Sequence, residues 1–262
     1  MASAFPLDLQ AVGYSYVERP NTVLLDLLRR HVLSKKAGQA RILDVGCGAG
    51  ANIRALRKDP STKDVFILGV EPNEKASKLA AEVCDEVFNG TTDAWLATNP
   101  SAEFDAVVMS DVLEHIPDPL QFLRSLAAYP GVKNARFIVS VPNYAVWYNR
   151  MNTLAGRFKY AWSGLYDRTH VRFFTRESVQ ELMKHAGLHT VDDACTPSLV
   201  QSMAPLLRSF FEKDVAAGNH LSLPESKAFR TYDNWVEPVE KKVCSIWPEL
   251  LGFQIVTVAS VG

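Results

Sequence analysis

Cysteine is scarce in this chain, and an excess of either charge is missing. Four cysteines occur in 262 residues. Cys47, Cys84, Cys195 and Cys244 stand far apart, with no Cys-x-x-Cys and no cysteine–histidine spacing of zinc type. That argues against a disulfide framework and a structural zinc site. It leaves thiols of a reducing compartment, so a cytoplasmic protein without a bound metal is expected. The formal net charge of -1 removes any global pull on nucleic acid or an anionic membrane, while leaving a local patch open. No apolar run reaches the length of about 18 residues that a membrane-spanning helix needs. The opening Met1–Asp8 lacks the basic start and long apolar centre of a signal peptide. Internal repeats and low-complexity tracts are also missing.

What is present is an alternation. Strand-like apolar runs at Arg41–Val45, Val65–Val70, Glu86–Asn89, Ala106–Ser110 and Ala135–Val141 are separated by helix-like stretches at Ala51–Lys58, Asn73–Val83 and Pro119–Ala128. Asn73 and Asp118 stand where helix N-caps belong. This order predicts parallel βαβ units, an α/β sheet with helices on both faces. A helix is also expected at about Asn21–His31 and another at Thr175–Ala186, with further strands at Thr190–Cys195 and Gly252–Val261. With 47% hydrophobic residues the chain can bury a real core, read here as a single domain over 1–262. Residues 1–37 would form an N-terminal cap segment, and 142–174, dense in aromatics and arginine, a lid after the fifth strand. Residues 197–248, too long for a hairpin loop, would be a helical insertion serving as a lid or a homodimer surface.

The stretch Ile42-Leu43-Asp44-Val45-Gly46-Cys47-Gly48-Ala49-Gly50 carries the most chemistry. A strand breaking into alternate glycines and then a helix is how a parallel sheet builds a nucleotide site, because glycine lets the backbone approach a ligand closely. Gly46, Gly48 and Ala51 also satisfy the loose dinucleotide pattern, which keeps an NAD(P)-linked oxidoreductase open. Asp44 weighs against it. A carboxylate two residues before the first glycine repels a pyrophosphate and suits a ligand with a positive group. Glu71 ends the second strand, where a carboxylate can accept both ribose hydroxyls in either enzyme class. Pro72 and Asn73 follow as a βα turn requires.

The pattern Asp-x-Gly-x-Gly-x-Gly resembles motif I of the class I S-adenosylmethionine-dependent methyltransferases. Phe104-Asp105-Ala106-Val107 … Val112-Leu113-Glu114-His115-Ile116-Pro117-Asp118-Pro119 resembles a segment of their ubiquinone-biosynthesis-like, type 23 branch. Dehydrogenases do not usually carry it. Pro142-Asn143 … Trp147 … Gly156-Arg157-Phe158 … Leu165-Tyr166-Asp167-Arg168-Thr169-His170-Val171-Arg172-Phe173-Phe174-Thr175 resembles bacterial methyltransferases often encoded beside cell-surface glycosyltransferases. More distantly it is similar to the MetW-type proteins of methionine biosynthesis.

These resemblances imply a Rossmann-like class I methyltransferase fold with a seven-stranded, mostly parallel sheet whose strand seven is antiparallel. They imply S-adenosyl-L-methionine as cofactor. Its contacts would come from Asp44, Gly46, Cys47, Gly48, Gly50 and Asn52, from Glu71 and Pro72, from Thr91 and Thr92, and from Ser110, Asp111 and Val112. Thr91 stands where relatives usually have an acid, and Thr92 or Asp93 either meets the adenine edge or caps the next helix. In the family a segment like that around Tyr14, Tyr16 and Arg19 folds over the cofactor. Tyr16 and Arg19 are the implied contacts, with Arg19 set to pair with the methionine carboxylate.

His115 is the candidate general base, with His170 as a second catalytic candidate. An imidazole with an ordinary pKa of about 6.5 can take a hydroxyl proton as the methyl group arrives. The alternative for His115 is to fix the Ser110–Pro119 loop. Glu114 is read as structural, satisfying loop N–H groups. Asn143, Trp147, Tyr166 and Arg168 are candidate substrate contacts, together with His170. Arg150, Arg157, Lys159, Arg168 and Arg172 face only Asp167, which suits an anionic group on the substrate. The same residues could stack RNA bases, but the neutral global charge argues against a nucleic-acid partner. The expected reaction is methyl transfer to a small-molecule acceptor, O-methylation of a sugar or natural-product-like metabolite. A cofactor-binding partner protein without turnover of its own is the alternative.

Overall fold

The computed structural model of the chain describes residues 20–36, 39–161, 164–197 and 237–262. Within them one seven-stranded sheet is built from β1 (Arg41–Val45), β2 (Phe66–Glu71), β3 (Glu86–Asn89), β4 (Ala106–Ser110), β5 (Arg136–Pro142), β6 (Leu188–Pro197) and β7 (Gly252–Val261). The spatial order is β3-β2-β1-β4-β5-β7-β6. Strands β1 to β5 pair in parallel, whereas β7 runs antiparallel to both β5 and β6. The helices are α1 (Thr22–Leu28, continued by a π-helical turn to Leu33), α2 (Ala51–Leu56), α3 (Glu74–Ala80), α4 (Thr92–Thr98), α5 (Pro119–Ala127), α6 (Trp147–Leu154), α7 (Arg176–His185), α8 (Glu237–Ile246) and α9 (Pro248–Leu251). No helix among the described residues is long and apolar enough to cross a membrane.

The central strands are apolar at nearly every position because helices cover both faces. Side chains alternate between two cores. Leu43, Val45, Val107, Met109, Phe137 and Val139 pack on one face with Leu123, Leu126, Val179 and Met183 of α5 and α7. Ile42, Ile67, Val108, Ile138, Val256 and Val258 fill the other, against Leu24, Leu27 and Leu28 of α1 and Ile53 and Leu56 of α2. The helix starts follow capping chemistry. Asn73 Oδ1 accepts the Lys75 and Ala76 N–H groups, and Asp118 Oδ1 accepts that of Gln121 with Pro119 at the first helical position. Thr175 and Ser178 form a reciprocal capping box on α7.

The expected strands stand where the apolar runs placed them, with β2 and β5 displaced by one residue and β6 extended at both ends. Two helices come as additions, α4 and α6. The latter sits inside the aromatic segment, whose tryptophan, tyrosine and asparagine are poor helix formers, and no side chain caps it. Residues 1–19 and most of 197–248 lie outside the described residues, so Tyr16 and Arg19 do too. The segment after β5 leaves the sheet and returns beside it, since Tyr144 N–H donates to the Phe174 carbonyl at 2.7 Å.

At that exit stands Asn143, expected above as a substrate contact and corrected here to a structural tie. It is fully buried. Its amide group donates to the carbonyls of Glu249 (3.0 Å) and Gly252 (2.8 Å), and its Oδ1 accepts Ala145 N–H at 3.0 Å. Both side-chain donors are thereby spent on holding α9 and the start of β7 against the end of β5. Asn143→Ala should therefore lower stability by about 2–4 kcal/mol, since it leaves two buried carbonyls short of donors. Urea unfolding measures this. A residue serving only a substrate would change the result by less than about 0.5 kcal/mol.

Candidate active site

The parallel strands point their carboxyl ends to one edge, where an open α/β sheet binds its ligands. Asp44 sits near the end of β1 and is buried. Gly46, Gly48 and Gly50 all have positive φ, at 65°, 54° and 80°, a region that L side chains avoid. At Gly46 an added Cβ would lie 2.8 Å from a methyl of Val112, so Val112 packs directly over the turn. Glu71, buried at the end of β2, uses one carboxylate oxygen to accept Gly48 N–H at 2.9 Å and the other to accept Asn73 N–H at 2.8 Å. One carboxylate thus clamps the first and second turns. Each oxygen keeps a second lone-pair position for a ribose hydroxyl. Asn89 closes the third strand onto the second, donating to the carbonyls of Glu71 and Pro72.

Cys47 lies in the middle of the turn. Its thiol is pushed far above the ordinary range by its hydrogen bond with Cys84, by burial and by the carboxylate of Asp44. It is therefore a packing group and not a nucleophile. Asn52 turns its Oδ1 to Asn21 N–H at 2.7 Å, fastening the start of α1 to the turn. At the third strand the cap is Thr91, whose hydroxyl oxygen accepts Ala94 N–H at 3.3 Å. Thr92 is buried in the first turn of α4, and Asp93 is exposed. Thr91 therefore takes the capping task that was one of the two alternatives for Thr92 or Asp93.

The fourth strand ends in a more strained place. Asp111 has φ 55°, the only positive φ outside glycine among the described residues. Such a conformation needs support from its surroundings. Here the support is a network: Ser140 Oγ donates to Asp111 Oδ1 at 3.0 Å, and Gln254 Nε2 donates to Asp111 Oδ2. Burial raises the Asp111 carboxyl to about 6, while the bonds from Ser140 and Gln254 oppose it. Ser110 lies beside this network, 3.5 Å from Ser140 Oγ. Gln254 Oε1 in turn accepts from Thr196 and Asn21. Ser140 and Gln254 were not singled out in the sequence. Nothing local marks them, and only the β5–β7 pairing brings Gln254 to Asp111.

The reacting side is built from two segments. Glu114 and His115 lie on a 3₁₀ turn after β4 (Leu113–His115), and His170 comes from the segment that returns toward β5. Val171 and Arg172 donate their backbone N–H groups to the Glu114 carbonyl at 2.9 and 3.1 Å. His115 Nδ1 meets the Thr169 carbonyl at 3.3 Å, and His170 Nδ1 meets that of Leu165 at 3.2 Å. The two imidazoles cross edge to face with centroids 4.9 Å apart. Asp167, buried, accepts both the N–H and the hydroxyl of Thr169 and so shapes the turn that presents His170. Desolvation lowers His115, and desolvation with the neighbouring His115 lowers His170.

Glu114 is only 1% exposed, yet neither carboxylate oxygen has a hydrogen-bond partner. Burial, then the nearby Asp111 and Asp167, raise its carboxyl well above the usual range. The expectation that this side chain satisfies loop N–H groups is therefore corrected. The loop bonds go to its carbonyl oxygen, and the carboxyl is left facing the histidines. Donor atoms of Glu114, His115 and His170 lie within 4.8 Å of one another. Trp147, partly buried, has an Nε1–H that is buried and without a partner. Tyr166 spends its hydroxyl on Asn149 Oδ1. Arg168 is exposed near the same turn.

Comparison with known proteins agrees with this geometry. Residues 16–192 match a family model described as a methyltransferase domain. The ubiquinone biosynthesis O-methyltransferase of Vibrio parahaemolyticus is 35% identical over 102 residues, covering 37% of this chain and 43% of that protein. Its counterpart from Actinobacillus pleuropneumoniae is 33% identical over 113 residues, covering 40% and 48%. The match thus spans less than half the length of these relatives. A SAM dependent methyltransferase from Archaeoglobus fulgidus superposes with a TM-score of 0.54 at 18% identity, covering 91% of this chain and 93% of its own. The [4+2]-cyclase SpnF does so with a TM-score of 0.54 at 20% identity, covering 92% and 82%. At these identities the two structures speak for the fold alone, and a cyclase beside a methyltransferase shows that the frame does not dictate one reaction. The family model takes in well over half of the sequence, and its glycine turn is motif I: the chain belongs to the S-adenosylmethionine-dependent methyltransferases.

Proposed function

We propose that the chain transfers the methyl group of S-adenosyl-L-methionine to a hydroxyl oxygen of a small-molecule acceptor, a sugar or natural-product-like metabolite. One observation carries this reading. The Gly46–Gly50 turn, clamped by Glu71, shares the sheet edge with two histidines in edge-to-face contact, held where the returning 164–175 segment meets the Glu114 turn. When bound, the cofactor supplies an electrophilic methyl group on a sulfonium. The residues present fit such a group. Asp44, Glu71 and Asp111 put negative charge around the crevice, and the positive-φ glycines give the turn a backbone path that L side chains avoid. Glu71 is suited to the ribose hydroxyls, and Ser110 and Asp111 to the methionine half. Residues 142–174 act as the lid, which lowers the dielectric where the sulfonium charge is to be lost.

His115 takes the acceptor's proton, and His170, set against it, holds its ring and lines the acceptor site. Trp147 offers its free indole N–H to the acceptor, and Arg168 meets an anionic substituent. A bound divalent cation between Glu114, His115 and His170 is a second reading, because the donor spacing suits one.

Asp44→Ala and Gly46→Arg should each abolish binding of S-adenosylhomocysteine by calorimetry, and undiminished binding in both would refute the site. For the base, the sign follows from the depressed histidines. The working form is neutral, so activity should persist as pH falls from neutral until the lowered pKa is crossed. The acid limb of kcat/KM is thus expected below the ordinary value of about 6.5. His115→Ala should cost about a hundredfold or more in kcat with cofactor affinity retained. Near-normal turnover in that variant rules out the base. Activity lost to a chelator and restored by a divalent ion would instead give the task to a metal.

A further inference from the structure

Six of the twelve large apolar side chains that stand exposed among the described residues fall between positions 151 and 173, which makes this one patch and not scattered surface. They are Met151 (60% exposed), Leu154 (83%), Phe158 (44%), Tyr160 (57%), Val171 (49%) and Phe173 (39%). A helical turn joins the aliphatic part of the patch, and ring contacts join its aromatic part. Met151 and Leu154 lie one helical turn apart on α6. Phe158 meets Tyr160, Tyr166 and Phe173 edge to face at centroid distances of 5.2, 5.1 and 6.1 Å. Its charges have a single sign. Arg150, Arg157, Lys159, Arg168 and Arg172 are exposed, and the one acid in this stretch, Asp167, is buried with an oxygen engaged by Thr169. This stands out in a chain whose net charge is -1.

We infer that the outward face of residues 150–161 and 164–173 is a docking surface for a lipid bilayer carrying anionic headgroups. The occupant is chosen by complementarity. Aliphatic and aromatic side chains mixed with arginine and lysine, and no exposed acid, fit the boundary between acyl chains and anionic headgroups, where the apolar tips enter and the cations stay at the phosphates. Nucleic acid would give the aromatic rings bases to stack on but offers no counterpart for Met151, Leu154 and Val171. The contact is peripheral, since no described helix can span a membrane. It also bears on the site. Val171 and Arg172 hang from the Glu114 carbonyl, so docking here puts the mouth beside His115 and His170 at the bilayer surface. The inference does not depend on which acceptor is methylated, or on whether His115 is the base.

The full chain is to be sedimented with vesicles of phosphatidylcholine, with and without phosphatidylglycerol, across a salt series. Binding is expected only with the anionic lipid and should weaken as salt rises. The double variant Arg157→Glu, Lys159→Glu should lose about tenfold or more in vesicle affinity. Leu154→Ser with Phe158→Ser should lose affinity while keeping the salt dependence. All four positions are exposed, so an unchanged thermal midpoint and unchanged S-adenosylhomocysteine affinity separate lost docking from lost folding. The proposal is overturned if the wild-type chain stays in the supernatant with both vesicles, or if the variants sediment like it. A salt-independent dimer that Leu154→Ser dissolves, with no vesicle binding, would give the face to a second copy and likewise overturn it.

Discussion

Two peptide N–H groups from different turns end on the same carboxylate: Gly48 donates to one oxygen of Glu71, and Asn73 to the other. Charge-assisted bonds of this kind are the stronger class, and here both are buried or nearly so. Their effect is to set the glycine turn after β1 at a fixed distance from the start of α3. Asn89 adds the end of β3 by donating to the carbonyls of Glu71 and Pro72. Three strand ends are thereby locked together. The positive φ angles of the turn, unfavourable for most residues, persist because this clamp and the packing of Val112 on Gly46 hold them.

The remainder of the site has an excess of buried or half-buried acids. Asp44 and Glu71 line the turn, Asp111 is raised to about 6 by burial, and the Glu114 carboxyl has no hydrogen-bond partner. A buried carboxyl without a partner, as at Glu114, is costly inside a protein. Such a crevice is complementary to a cation, and on the proposed reading that cation is the sulfonium. Transfer of the methyl group removes its charge, so the acids hold the reactant more strongly than the product. Glu114 and the His115–His170 pair lie at the border between the sheet edge and the 142–174 segment, where two backbone hydrogen bonds and one contact of the His115 ring tie the two together. Chemistry and closure share those residues.

Much of this was legible in the amino-acid order. Strands β1 to β5 read correctly because a parallel sheet buried on both faces writes itself as short apolar runs, bounded here by Gly46, Pro72, Gly90 and Pro142. Asp44, the glycine turn and Glu71 were visible because they are local and their spacing is set by one βαβ unit. His115 and His170 were picked out one by one, but their 4.9 Å contact was not, since it depends on the path of an aromatic segment without periodicity. Gln254 and Ser140 were invisible for a related reason. Their importance comes from sheet register, which places β7 between β5 and β6 and brings an ordinary glutamine to a strained aspartate. Asn143 misled because a polar residue at a strand end looks like a binding group until its donors are traced to Glu249 and Gly252. Thr91 shows the limit at single-residue scale: two neighbouring threonines and an aspartate can each cap a helix, and only the backbone angles decide.

The most direct measurement is a crystal structure of the chain with S-adenosylhomocysteine. The account predicts the thioether nucleoside along the Gly46–Gly50 turn, its ribose hydroxyls on Glu71, and its sulfur turned toward the Asp111 and His115 side of the edge. A crevice left empty, or one that takes the pyrophosphate of a dinucleotide in place of that molecule, would contradict it.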